Sequence, residues 1–142
     1  MKKIFFLLIP FFSLLAGEDR FVTIYIHDKP FLAEIADTPE KQSKGLMFRQ
    51  KIKDDYTMLF IFPEEDTRSF WMKNTLIALD IIYLNQEQQI VDMFVAVPPC
   101  CGDPCPSYTS KFPAQYVLEI NGGLAKKLKL KIGDKIFLPV DY

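Results

Sequence analysis

The chain has little histidine, and this scarcity narrows the enzyme classes to which it can belong. His27 is the single histidine, and it lies in the turn-like stretch HDKP. Ser-His-Asp and Cys-His sites need an imidazole beside the nucleophile, whereas a polar residue in a turn is typically solvated. A Gly-rich phosphate loop is also missing, since the Gly-Gly pair at 122–123 lacks the surrounding pattern. These absences argue against triad hydrolases and nucleotide-binding enzymes.

Cysteine is scarce too, and all three cysteines lie in the stretch PPCCGDPCPSYTSKFP, which we predict to be a loop. A zinc site needs about four ligands, and three clustered cysteines with one distant histidine are poorly spaced for it. The Cys-x-x-Cys pair of thiol redox proteins is absent. We therefore expect no metal and no cofactor. A disulfide between the adjacent residues Cys100 and Cys101 is disfavoured, because it would strain the backbone. The pairs Cys100–Cys105 and Cys101–Cys105 both stay open.

No excess of charge of one sign is present, with 17 basic and 18 acidic residues. A short basic run, KKLKLK at 126–131, alternates with leucine and is typical of a half-buried element whose lysines reach water. Nucleic-acid-binding domains carry a basic patch or stripe. We therefore expect no nucleic-acid partner, and we expect a small molecule or a protein instead.

No hydrophobic run reaches the ~20 residues that a membrane-spanning helix needs. The N-terminal run at 4–15 is preceded by two lysines and followed by small residues, which is the layout of a secretory signal peptide. We expect residues 1–17 to be a signal peptide and residues 18–142 to form a single domain. The protein would then be exported to the periplasm or the extracellular space, with membrane contact only through an uncleaved signal.

The rest of the chain consists of short apolar segments bounded by turn residues, which are typical of strands. A short helix is predicted with Asp37 or Thr38 as N-cap, Pro39 in its first turn and Gly45 at its end, and a second in GGLAKKLKL. No strand–helix–strand alternation is visible. We predict a mainly β fold, α+β at the margin: a compact β-barrel-like domain, or a compact sandwich, of about eight strands with two short helices. The predicted strands are 21–26, 31–36, 57–62, SFWMK, LDIIYL, 90–97, 115–121 and one in IGDKIFLPV.

Five segments in a fixed order carry a family resemblance. They are GLMFR, MLFIF, FWMKNTLIALDIIY, VLEINGG and IGDKI. Together they resemble the Domain of Unknown Function 192 (DUF192) family over about residues 34–138. The resemblance implies a compact β-barrel-like domain, often behind an export signal, and no established activity. It also implies a Cys-x4-Cys-Pro arrangement, which favours a Cys100–Cys105 disulfide and leaves Cys101 as a free thiol.

Acidic residues lie inside two apolar segments, Asp80 in LIALDIIYL and Glu119 in VLEIN. A buried charge is costly unless it is paired or hydrogen-bonded, so each acid needs a partner. In a structural interpretation, Asp80 accepts backbone N–H bonds or pairs with Arg49 or Lys73. The Asn-Thr pair then makes a turn, and Trp71 fills the barrel interior or closes one end. In a functional interpretation, one barrel mouth binds a ligand through Arg49, Trp71, Lys73, Asn74, Asp80 and Glu119.

These residues leave several functions open. The favoured interpretation is a small exported, non-enzymatic β-barrel module that binds a small molecule or a protein partner. An enzyme that uses Asp80 or Glu119 as a general acid or base is the first alternative. A purely structural or interaction module is the second, and metal or thiol chemistry in the cysteine loop is the third.

Overall fold

The computed structural model describes residues 18–139, so the predicted signal segment at 1–17 lies outside the described residues. The described part contains nine strands and two short helices, and the predicted mainly β fold is confirmed. The elements are β1 (Phe21–Ile26), β2 (Lys29–Ala36), α1 (Pro39–Lys44), β3 (Tyr56–Asp66), β4 (Ser69–Trp71), β5 (Leu79–Leu84), β6 (Ile90–Val97), β7 (Ser107–Thr109), β8 (Ala114–Asn121), α2 (Leu124–Lys127) and β9 (Ile136–Phe137).

Seven of the strands form one sheet in the order β6-β5-β8-β3-β2-β1-β9, and β4 pairs with β7 in a separate two-stranded ribbon. All neighbours are antiparallel except β2 and β3, which run parallel. The outermost strand β6 approaches the segment that leads into β9, the strand at the other edge of the sheet. The Ile90 N–H donates to the Asp134 carbonyl at 2.9 Å, and the Gly133 N–H donates to the Ile90 carbonyl at 2.8 Å. The sheet is therefore curled into a half-barrel.

Helix α1 has the ends that its sequence predicts. The Thr38 hydroxyl accepts a hydrogen bond from the Lys41 N–H at 3.2 Å, which satisfies one of the free donors of the first turn. Pro39 occupies the first helical position, where its missing N–H is not needed. Gly45 ends the helix with φ 48° and ψ −135°, a conformation that favours glycine.

Alternation along the strands divides the buried side chains between two cores. The first core includes Ile82, Leu118 and Ile120 and extends over most of the sheet and α2. The second core, which includes Phe60 and Ile81, lies on the opposite face of the central strands, with Phe70 and Tyr108 of the ribbon packed against it. Successive strand residues point to opposite faces, so neighbouring residues of β5 and β8 enter different cores.

Three features differ from the sequence predictions. Strand β7 lies in the segment that we predicted to be a loop, and the Tyr83 hydroxyl holds it by donating to the Tyr108 carbonyl at 2.6 Å. Strand β3 continues through Pro63 to Asp66, beyond the predicted end at residue 62 and past an irregularity in its pairing. Trp71 is 52% exposed and does not fill the interior. In residues 18–139, no helix is both long and apolar enough to cross a bilayer.

Candidate functional site

Asp80 has its partners in the backbone. The residue is fully buried, at 0% exposure. One carboxylate oxygen accepts hydrogen bonds from the N–H groups of Ala96 and Gly123, and the other accepts from Ala125, each at 2.7 Å. The expectation that this acid needs a partner is confirmed, and the partners are those of the structural interpretation. Asp80 joins β6, the turn after β8 and the first turn of α2.

Asp80 and Glu119 lie on opposite faces of the sheet. In the β5–β8 register, Asp80 is opposite Ile120 and Ile81 is opposite Glu119. Directly opposed residues share a face, and Ile120 belongs to the first core whereas Ile81 belongs to the second. The expectation that both acids converge at one mouth is therefore wrong.

Glu119 lines a cavity of about 260 Å³ on the second-core face. We call it the Glu119 cavity. Its lining includes Gly45 from the segment after α1, Phe60 from β3, Trp71 from β4, and Thr75. An ideal Cβ built on Gly45 would be 3.5 Å from the Phe60 ring and 3.8 Å from a Glu119 carboxyl oxygen. The absence of a side chain at Gly45 thus keeps this end of the cavity open.

The Glu119 carboxyl is buried without a hydrogen-bond partner. Its residue is 5% exposed, and in residues 18–139 neither carboxyl oxygen accepts or donates a hydrogen bond. Every side-chain nitrogen or oxygen atom of that region that solvent cannot reach has a hydrogen-bond partner, so each Glu119 carboxyl oxygen keeps a small accessible surface. Burial raises the pKa of Glu119 to about 8, and the positive charge of Arg49 opposes that rise. Near neutral pH the Glu119 side chain is therefore mainly a neutral carboxylic acid.

Arg49 belongs to a neighbouring polar cluster with two residues that the sequence analysis missed. Its guanidinium contacts the Glu34 carboxylate at 2.9 and 2.8 Å and donates to the Tyr56 hydroxyl at 2.6 Å, while Tyr56 donates to Glu34. Burial alone would lower the pKa of Arg49, but Glu34 and Tyr56 raise it. Burial and Glu34 likewise raise the pKa of the Tyr56 hydroxyl. Glu34 is an acidic residue inside the apolar segment FLAEIA, and the same pattern identified Asp80 and Glu119 as candidates.

Lys73 and Asn74 support the cysteine loop. The Lys73 ammonium donates to the Gly102 carbonyl at 3.0 Å and lies 3.7 Å from the Asp103 carboxylate. Asn74 has φ 53°, as its left-handed turn role requires, and its N–H donates to the Cys100 carbonyl at 3.0 Å. These contacts place both residues with the loop. Of the six predicted site residues, Trp71 and Glu119 thus share the cavity, Arg49 lies beside it, and Asp80 lies on the other face.

The cysteine loop is closed by a Cys100–Cys105 disulfide, as the family resemblance implied. The Cα atoms of the pair are 5.9 Å apart. Cys101 is free and exposed. Across residues 18–139, no three side chains of His, Cys, Asp or Glu are grouped so that they could hold a metal ion.

Comparisons with known proteins agree with the resemblance. Residues 22–138 match the model of the DUF192 family, described as "Uncharacterized ACR". A UPF0127 protein of Pyrococcus furiosus is 31% identical over 106 residues, which are 71% of this chain and 81% of that protein. A UPF0127 protein of Pyrococcus abyssi is 33% identical over 108 residues, which are 72% of this chain and 82% of that protein. The crystal structure of a protein of unknown function from Novosphingobium aromaticivorans is 33% identical, with a TM-score of 0.74 over 89% of both chains.

Proposed function

This chain belongs to the DUF192 family, and we propose that it is a binding module whose ligand is a small molecule held in the Glu119 cavity. One observation carries this proposal: the Glu119 carboxyl is buried at the wall of a cavity and has no hydrogen-bond partner among the described residues. Burying a polar group without a partner costs free energy. A ligand that pairs with the carboxyl would recover part of that cost.

The size and lining of the cavity favour a small organic ligand over a macromolecular segment. Its volume of about 260 Å³ is below the ~300–1,000 Å³ that is typical of drug-sized sites. Phe60, Phe62 and Phe70 supply apolar wall, and the half-exposed Trp71 lies at the rim. Serine, threonine and glutamine side chains add polar groups to this lining, and a concave site that combines apolar wall with convergent polar groups is typical of small-molecule binding. A protein partner would instead have to recognise the rim, with Trp71 as its main contact.

An enzyme is the second candidate, and the pKa of Glu119 favours it specifically. A general acid or base works best when its pKa lies near the operating pH, and burial raises the pKa of Glu119 to about 8. A perturbed acid in a cavity is a recognised indication of a functional site. Asp80 takes no part in this candidate, because three backbone amides already occupy its carboxylate. A Glu119→Gln variant that keeps the turnover of an identified substrate would contradict it.

Three probes of similar size and different charge test the binding proposal: n-propylamine, propionamide and propionate. Each is titrated into ¹⁵N-labelled protein while the backbone amides are followed by NMR. We expect at least one probe to shift the amide signals of Gly45, Trp71 and Thr75 in a saturable way. If none of the three shifts these signals, the proposal is wrong and a purely structural module becomes the better interpretation.

A pair of tryptophan variants shows whether such binding occurs in the cavity. Ser43 is an exposed residue of α1 that lines the Glu119 cavity, whereas Glu40 is an exposed residue of the same helix outside it. Ser43→Trp should obstruct the cavity and abolish the saturable shifts. Glu40→Trp, the matched control, should keep them. Binding that survives Ser43→Trp with unchanged affinity would refute the proposed location.

We also propose that the protein is exported and functions in the periplasm or outside the cell. The signal-like residues 1–17 and the Cys100–Cys105 disulfide support this proposal, because disulfides persist mainly in oxidising compartments. The full chain should be recovered from the periplasm or the medium, or from the membrane if the signal is uncut. Non-reducing mass spectrometry should find one disulfide and one free thiol. Recovery in the cytoplasm with three free thiols would contradict export.

A further inference from the structure

We infer that the Glu119 cavity takes an alkylammonium cation, a protonated primary amine, with the Glu119 carboxylate as its counter-ion. This inference depends on the proposed function, because it names the chemical class of the ligand for that same cavity. Three features of the cavity support it: the carboxyl lacks donors, the walls are aromatic, and the neighbouring cation is already paired.

The first feature is the lack of hydrogen-bond donors. An ionised carboxylate accepts hydrogen bonds and donates none. Asp80 shows how this fold satisfies a buried carboxylate, with three backbone N–H groups at 2.7 Å. Glu119 receives no such bond from any described residue. An ammonium group offers three N–H donors and the opposite charge, so it supplies what the Glu119 site lacks.

The second feature is the aromatic lining. Four aromatic side chains border the cavity, and two of them, Phe60 and Phe70, pack edge to face with ring centroids 4.8 Å apart. Aromatic ring faces attract cations, and sites for ammonium ligands are commonly built from them. One of the four rings already binds a cation, since the Arg68 guanidinium lies 4.0 Å from the centroid of Phe62. Among these four rings, only Trp71 carries a hydrogen-bond donor, its indole N–H.

The third feature is the arrangement of the surrounding charges. Arg49 is close enough to influence Glu119, but its guanidinium is bound by the Glu34 carboxylate and Tyr56. Arg49 therefore does not satisfy Glu119 directly. Lys44 lines the cavity and is exposed, so its charge opposes a cationic ligand and would favour an anionic one. Lys44 thus provides a variant that separates the two classes.

Ionising Glu119 is part of the binding event, so the measurement belongs at a pH where the carboxylate already exists. Burial raises the pKa of Glu119 to about 8, whereas an alkylamine resembles the lysine side chain, whose pKa is ~10.4. At about pH 9 both groups carry their charges. The other titratable groups near Glu119 are Lys44, Arg49 and Tyr83, and burial raises the pKa of the Tyr83 hydroxyl well above this range.

The experiment compares the affinities of n-propylamine, propionamide and propionate at pH 9 by NMR titration of the full domain. We expect n-propylamine to bind at least ten-fold more tightly than the other two probes. Glu119→Gln should weaken n-propylamine binding at least ten-fold, and its amide spectrum should match that of the wild type, because the amide has the shape of the acid. Lys44→Met should tighten n-propylamine binding, and Glu40→Gln, an exposed acid outside the cavity, should leave it unchanged.

Several outcomes would overturn the inference. If propionamide or propionate binds as tightly as n-propylamine, the ligand is not an alkylammonium cation, although the proposed binding function survives. The same conclusion holds if Glu119→Gln binds n-propylamine like the wild type, or if Lys44→Met weakens the binding. If no probe binds, the binding function itself fails. Lys44→Met remains a decisive test even if Glu119→Gln does not fold, because Lys44 is an exposed residue.

Discussion

Replacing Asp80 by Asn tests whether this acid holds the fold together. Its two carboxylate oxygens accept three backbone N–H bonds at 2.7 Å from two separate parts of the chain, β6 and the start of α2. If the Asn oxygen occupies the position that serves Ala96 and Gly123, its NH₂ group faces the N–H of Ala125. One acceptor is then replaced by a donor, and the two remaining bonds lose the assistance of the charge.

The cost follows from these contacts. A hydrogen bond to a charged group contributes about 1.5–3 kcal/mol, and a buried N–H left without an acceptor costs about 1–3 kcal/mol. We expect Asp80→Asn to lower the free energy of unfolding by about 3–5 kcal/mol. For a domain of this size, the melting temperature should fall by roughly 10–20 °C. Domains of ordinary stability, about 5–15 kcal/mol, can tolerate this loss and still fold.

Urea unfolding followed by far-ultraviolet circular dichroism measures the change. Asp28→Asn is the matched control, because Asp28 is exposed in the turn between β1 and β2, and its effect should stay within about 0.5 kcal/mol. Hydrogen exchange should quicken at the amides of Ala96, Gly123 and Ala125. If Asp80→Asn lost less than about 1 kcal/mol with an unchanged urea dependence, the reasoning that treats Asp80 as a structural anchor would be refuted.

Three further predictions concern the cavity, the cysteine loop and the turn after β8. Because burial raises the pKa of Glu119 from 4.5 to about 8, the unfolded chain loses this proton at lower pH than the folded protein does, so stability falls as pH rises across that window. Glu119→Gln removes this fall, so its free energy of unfolding, measured in urea, should rise relative to that of the wild type by up to a few kcal/mol between about pH 5 and pH 8.5. A difference between the two proteins that does not change with pH would contradict this. Cys105→Ser should lower the free energy of unfolding by about 2 kcal/mol from the short loop it opens, whereas Cys101→Ser should have no effect; equal losses would show that the disulfide is not the cause. Gly122→Ala should lower the free energy of unfolding by about 1–3 kcal/mol, because the new Cβ would lie 2.9–3.0 Å from atoms of Ala78. Gly102→Ala is the control, because its Cβ would meet nothing within 4 Å. Similar thermal denaturation of the two variants would refute the steric argument.

Local sequence signals predicted most of the sheet and α1. Alternating β-branched residues gave β1, and Pro39 and Gly45 gave the ends of α1. Strand β7 escaped prediction because its three residues follow a proline- and cysteine-rich stretch and are held by a distant contact from Tyr83. No local pattern indicates that contact, since it joins residues 25 positions apart.

The candidate site was harder to predict than the fold. The cost of burying a charge correctly predicted that Asp80 needs a partner, but its partners lie up to 45 positions away in sequence. The opposite orientations of Asp80 and Glu119 depend on the β5–β8 register. Strand β5 is buried on both faces, so its sequence has no alternation from which that register could be read. The same argument applied to Glu34 would have predicted that this acid also needs a partner, but not that Arg49 and Tyr56 supply it.

The parallel pairing of β2 and β3 has a consequence for the shape of the Glu119 cavity. Parallel neighbours cannot be joined by a tight turn, so residues 37–55 must travel back along the sheet before β3 begins. This return path carries α1 and Gly45 over the second core and forms one wall of the Glu119 cavity. The path contributes no strand to the seven-stranded sheet. Changes in the parts of this segment outside GLMFR would therefore alter the shape of the Glu119 cavity, while the hydrogen-bonded ladder beneath it stays the same.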